Sequence, residues 1–129
     1  MDEQTKIDLA RNLFAGWSSG RPDGPLPYFS SDAVLEDPAG GTFTGHEAIR
    51  GFVATGLAIA ADMRFEPEEF WVNADGVALT WTLTATPGGK PFAVDGMSFL
   101  TMRDGLVTHE KDFYDTRPFA AHQASEGGP

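Results

Sequence analysis

Apolar side chains fall into two rhythms along this chain. Over residues 4–18, Ile7, Leu9, Ala10, Leu13, Phe14 and Trp17 recur close to helical spacing, which predicts a helix with a broad apolar face. The stretch "SSGRPDGP" stops it, and "LPYF" predicts one short helical turn. "AVLED" reads as a short strand that runs into a glycine-rich turn. A second helix then continues to about Ala60, capped by Thr44 or Gly45, with Glu47 in its first turn as in a capping box. Its apolar positions are Ile49, Phe52, Val53, Leu57 and Ile59. Beyond it the period changes to two. "MRFEPEEFWVN", "VALTWTLTATP", "KPFAVDGMSFLTMR" and "LVTHEKDFYD" predict four strands, joined by hairpin turns at "NADG", "TPGGK" and "RDG". The stretch "HQASEGGP" reads as frayed. The expected organisation is one domain over residues 1–122 and a flexible tail over 123–129.

Helices followed by an antiparallel meander define an α+β fold. Both the helices and the sheet carry an apolar face, so the sheet must curl to bury them together. The predicted shape is a cone: a curved antiparallel sheet wrapped around the N-terminal helices, with an apolar pocket between them. Strand faces follow from alternation. Leu79, Trp81 and Leu83 form an apolar face, and Thr80, Thr82 and Thr84 suit an exposed or partner-covered one. In "FAVDGMSFL", Ala93, Asp95, Met97 and Phe99 share one face; Phe92, Val94, Gly96, Ser98 and Leu100 share the other. In "LVTHEKDFYD", Thr108, Glu110, Asp112 and Tyr114 lie opposite Val107, His109, Lys111 and Phe113. Pattern alone leaves Asp95 and Asp112 each with two readings, a solvated position or a carboxyl aimed into the pocket.

Bulk composition narrows the chemistry. With 129 residues, 41% of them hydrophobic and 22% charged, the chain is an ordinary globular domain. It has no cysteine, hence no disulfide framework and no thiolate chemistry. A net charge of −10 disfavours nucleic acid and anionic membranes and is compatible with a neutral apolar ligand. No apolar run approaches the ~20 residues that span a bilayer, and the acidic start "MDEQTKIDLARNLF" is not a secretory signal. A cytoplasmic protein with no membrane partner is expected. His46, His109 and His122 are scattered, and "HEAIR" lacks the second histidine of a zinc-protease helix, so no metal is expected.

The most informative segment is "SSDAVLEDPAGGTFTGHEAIRGF". Asp37 ends a strand ahead of Pro38, which offers no backbone donor and restricts Asp37 to extended geometry. Glu36 points the other way, as a structural or exposed residue. Together with "FAVDGMSF", this segment resembles the ketosteroid isomerases, members of the superfamily shaped like nuclear transport factor 2. That superfamily also holds aromatic polyketide cyclases and limonene-type epoxide hydrolases. The likeness runs from about Ile7 to Tyr114.

The resemblance implies a cofactor-independent enzyme that moves protons on an apolar carbonyl compound, steroid-like or polyketide-like. Asp37 would be the general base and Asp95 the protonated donor to the substrate oxygen, with Asp112 as a possible auxiliary acid. Phe14, Trp17, Phe52, Val53, Leu57, Trp81, Met97, Phe99 and Tyr114 would line the pocket. Phe14 and Val53 stand where the isomerases carry tyrosines, and loss of such a donor commonly costs ~10²–10³ in rate. Trp17 and Tyr114 offer substitute donors. Leu79 and Trp81 replace the arginine and aspartate of the epoxide hydrolases, so that triad is absent. The polyketide cyclases use a late aspartate, which keeps Asp112 in play. A module that binds small hydrophobic ligands without turnover is the third reading. The resemblance also implies a homodimer paired through the outer sheet face, with Thr80, Thr82, Ser98, His109 and Phe113 as contributors.

Overall fold

The computed structural model describes residues 1–126. In chain order the elements are α1 (Glu3–Trp17), β1 (Phe29–Asp37), β2 (Gly41–Thr44), α2 (His46–Ile59), β3 (Arg64–Asn73), β4 (Gly76–Ala85), β5 (Phe92–Arg103), β6 (Leu106–Tyr114) and α3 (Arg117–Glu126). Short 3-10 turns cover Leu26–Tyr28 and Pro87–Gly89. The strands form one curved, open sheet in the order β2-β1-β6-β5-β4-β3. This is the expected α+β cone, with the N-terminal helices against its concave face.

One pairing departs from the all-antiparallel expectation. β1 runs parallel to β6, while every other neighbouring pair is antiparallel. The β1–β2 hairpin therefore docks as a unit on the last strand of the meander. That register sets Glu36 against Lys111, and so brings Asp37 to the level of Asp112. β2 itself is four residues of "GTFT", too short to display a period and easily read as turn.

α1 starts at Asp2, whose side chain accepts the Thr5 amide at 2.7 Å. The helix packs on β3 and β4 and buries Leu9, Ala10, Leu13, Phe14 and Trp17. Ser18 fastens its end, accepting the Phe65 amide at 2.9 Å. α2 lacks the expected capping box. Gly45 precedes it at φ 87°, in the left-handed region that favours glycine. The Gly45 amide bonds Ala33 O at 2.8 Å, and Glu47 pairs with Arg50 at 2.6 Å. The expected frayed tail is also corrected over part of its length. α3 runs to Glu126, and Asp115 accepts the Arg117 amide at 2.9 Å. Residues 127–129 lie outside the described residues. Among the described residues no helix is long and apolar enough to cross a membrane.

Leu79, Trp81 and Leu83 face inward, as their alternation required. On β5 the inner face holds Val94, Gly96, Ser98 and Leu100. Gly96 sits opposite Trp81 in the ladder, and a Cβ placed there would lie 2.3 Å from the indole ring. Trp81 is 1% exposed and packs against Phe65 and Tyr114, so the ring can shift only by disturbing those neighbours. Gly96→Ala is expected to destabilise the fold by about 1–3 kcal/mol, as overpacking does, measurable as a lower urea midpoint at unchanged m-value.

Candidate active site

Register assembles the inner wall in rows. Leu35, Glu110 and Leu100 are side by side on β1, β6 and β5; the next row holds Asp112, Ser98 and Leu79, and the one beyond it Tyr114, Gly96 and Trp81. Between this wall, α2 and α3 lies a cavity of about 1070 Å³. Asp37, Asp112 and Tyr114 supply its polar groups from the sheet, while Phe43, Phe52, Phe65, Trp81 and Phe119 supply much of its apolar surface. Glu47 stands at its α2 side. The described lining residues include no lysine, arginine or histidine.

Asp37 is 8% exposed. Its Oδ1 accepts the Ala39 amide at 2.9 Å and the Gly40 amide at 3.3 Å, which closes the turn after β1. Pro38 withholds a donor, but the next two residues supply theirs, contrary to the sequence expectation of a base with few competing donors. The Tyr114 hydroxyl donates to the same oxygen at 2.5 Å. All three bonds fall on Oδ1, leaving Oδ2 uncommitted. Burial, and then the adjacent Asp37 carboxyl, push the Tyr114 phenol well above its ordinary range, so it remains a donor.

Asp112 has a different environment. The Trp81 indole N–H donates to Ser98 Oγ at 2.9 Å, and Ser98 Oγ lies 2.6 Å from Asp112 Oδ1. Glu110, only 2% exposed, accepts the Trp17 indole N–H at 3.1 Å and stands two positions from Asp112 on the same face of β6. Burial drives both carboxyls upward; at Asp112 the charge of Glu110 adds to that and carries it well above the usual range.

The two raised midpoints dictate a sign. Stabilisation from these groups is complete below the ordinary carboxylate range and is lost as pH rises through the raised midpoints. Unfolding free energy should therefore decline above pH 4.5, by about 1.4 kcal/mol per unit of upward displacement. Asp112→Asn should flatten that slope in urea titrations repeated across pH.

The structure brings some expected residues together and separates others. Asp37, Asp112, Phe52, Trp81 and Tyr114 line one cavity. Phe14, Trp17 and Val53 are sealed in the core beneath it, and Leu57 packs against that core outside the lining. Asp95, Met97 and Phe99 are corrections. They occupy the outer face of β5, where Asp95 is exposed and accepts the Thr82 hydroxyl at 2.8 Å. Ser98, expected outside, is fully buried inside. Sequence reasoning gave Glu110 no role, although its alternation with Asp112 and Tyr114 on one strand face was the available signal.

Comparison with known proteins agrees with this architecture. The SnoaL-like domain family matches residues 10–110. The chain belongs to the SnoaL-like domain family. As a SnoaL-like domain it lies within the nuclear transport factor 2-like superfamily, as its sequence implied. TerC, co-crystallized with polyporic acid, is 29% identical over 95% of this chain and 99% of that one, with a TM-score of 0.81. A protein of ketosteroid isomerase-like fold from Catenulispora acidiphila DSM 44928, in complex with trimethylamine, is 24% identical at TM-score 0.83, covering 94% and 97% of the two chains. A protein described as a SnoaL-like polyketide cyclase from Jannaschia sp. CCS1 is 19% identical at TM-score 0.82, covering 98% and 95%. The last two likenesses establish the SnoaL-like fold alone. No curated protein sequence matches the chain.

Proposed function

We propose that this SnoaL-like protein is an acid/base enzyme acting on a neutral, apolar, carbonyl-bearing molecule of polyketide-like or steroid-like shape. Asp37 is the general base and Asp112 the general acid. The observation that carries this reading is that the two carboxyls share one apolar cavity in opposed environments. Hydrogen-bond donors surround Asp37; burial and a neighbouring carboxyl keep the proton on Asp112. A carboxyl held protonated beside a second carboxyl with different surroundings can divide acid from base work.

The step is enolisation. Asp37 Oδ2 takes a proton from the carbon beside the carbonyl, the electron pair moves to oxygen, and Asp112 donates to that oxygen. Return of the proton at a more distant carbon gives an isomerase; attack of the enol carbon on a second carbonyl gives a cyclase. Both reactions begin with the same loss of a C–H proton, and both partners in the exchange are side chains. TerC with polyporic acid supports a small organic ligand in this fold, and a lining without cations favours a neutral one here.

The test is deuterium uptake from heavy water into a 5-ene-3-ketosteroid and into aromatic β-keto probes. Enzyme-dependent uptake is the expected result. Tight binding with no uptake would instead favour the binding module, which the apolar, buried Phe14 and Val53 support.

We also propose a homodimer through the outer sheet face. Phe99 and Phe113 are 47% and 48% exposed and meet edge to face, with ring centroids 5.7 Å apart. Met97 is paired with Phe113 in the ladder, and Trp71 extends the apolar surface toward β3. Such a patch is a common mark of association. Sedimentation should give a dimer for the wild type and a monomer for Phe99→Glu.

A further inference from the structure

We propose that Glu110 is a positioning residue that holds the proton on Asp112, and so lets an acid and a base coexist in the cavity. This rests on Asp112 being the acid.

Hydrogen-bond polarity fixes the arrangement. An indole N–H can only donate. Trp17 therefore occupies an acceptor site of Glu110 Oε1, and Trp81 occupies a lone pair of Ser98 Oγ. The Ser98 hydrogen is left to be donated to Asp112 Oδ1. Both carboxyls are thus served by donors from outside, and as neighbours on one face of β6 they can bond each other only when one of them carries a proton. Glu110 is no part of the cavity wall. It is 2% exposed, lies between Leu35 and Leu100 in the ladder, and meets α1 through Trp17.

Position decides which carboxyl carries that proton. Asp112 lies at the level of Asp37, whose charge opposes ionisation of both carboxyls. Glu110 is one step deeper and has the Trp17 donor. A negative charge is accordingly better placed on Glu110, and the proton on Asp112. Two carboxyls sharing a site cannot both ionise without a large penalty. The other titratable groups around the pair are Tyr114 and Glu47 along the cavity, and His109 and Lys111 on the outer side of β6. Trp17, Ser98 and Trp81, the contacts from α1, β5 and β4, carry no charge.

The experiment is a carboxyl carbon NMR titration of protein labelled at aspartate, run beside the pH profile of deuterium uptake. Glu110→Gln keeps the shape of the side chain and an oxygen for Trp17, but removes the charge. The titration midpoint of Asp112 should fall by about one unit or more, and the alkaline limb of the rate profile should move with it. Trp17→Phe removes the donor that stabilises charge on Glu110, so the proton shifts toward Glu110 and the Asp112 midpoint should move downward. An Asp112 midpoint unchanged by Glu110→Gln in folded protein would overturn the proposal. If Glu110→Gln does not fold, Trp17→Phe decides: a downward displacement supports the proposal and no displacement overturns it. Absence of uptake in the wild type would sink the enzymatic reading, while the titration would still settle the role of Glu110.

Discussion

Asp37→Asn is expected to slow deuterium uptake into an enolisable probe by about 10²–10⁴-fold, the usual contribution of a positioned base, with little loss of stability. The geometry explains why the two effects separate. The turn after β1 and the Tyr114 hydroxyl all use Oδ1. Asparagine keeps a carbonyl oxygen there, so the three hydrogen bonds survive. It replaces Oδ2 with an amide nitrogen that cannot take a proton. Uptake kinetics and a urea unfolding curve on the same sample check both halves. An Asp37→Asn protein that exchanges at the wild-type rate would exclude Asp37 as the base. A variant that loses rate only because it unfolds would show a lowered urea midpoint.

Asp112→Asn should cost about 10²–10³-fold in the same assay, the range seen when one donor to a developing oxyanion is lost. Its pH signature differs from that of Asp37→Asn. The acid must be protonated, so activity falls as pH rises through the raised Asp112 midpoint. Asp112→Asn removes that falling limb, whereas Asp37→Asn lowers the rate across the profile. The asparagine keeps an oxygen to accept from Ser98, so that hydrogen bond survives. Full activity in Asp112→Asn, with the falling limb intact, would assign the acid elsewhere.

Much of the architecture was legible because it depends on period. The two N-terminal helices, the four-strand meander and the inward face of β4 each follow from spacing that one segment carries by itself. Asp37 was legible because a carboxylate between an apolar strand and a proline is out of place in any solvated reading. β5 misled for a specific reason. Its inner face carries Gly96 and Ser98 where Trp81 fills the space from the neighbouring strand. Small residues there look like a surface, while Met97 and Phe99 outside look like a core. Volume shared across a ladder leaves no trace in either strand alone. Glu110 was missed for a related reason: a carboxyl two positions from another reads as solvated until the register shows Leu35 and Leu100 on either side of it. The substitution of Asp112 for Asp95 follows directly. The sequence reading placed the main proton donor on β5, where Asp95 is exposed, and gave Asp112 on β6 only an auxiliary role.

α3 contributes Phe119 and Ala120 to the wall that encloses the ligand, whereas α1 contributes no lining residue. The two ends of the polypeptide are therefore not equivalent for protein engineering. A purification handle or fluorescent fusion attached downstream of α3 would hang from the chamber itself and bias every affinity measured with it. A handle placed ahead of Met1 would leave the chamber as it is, and shortening the chain to Tyr114 would open one side of it to solvent.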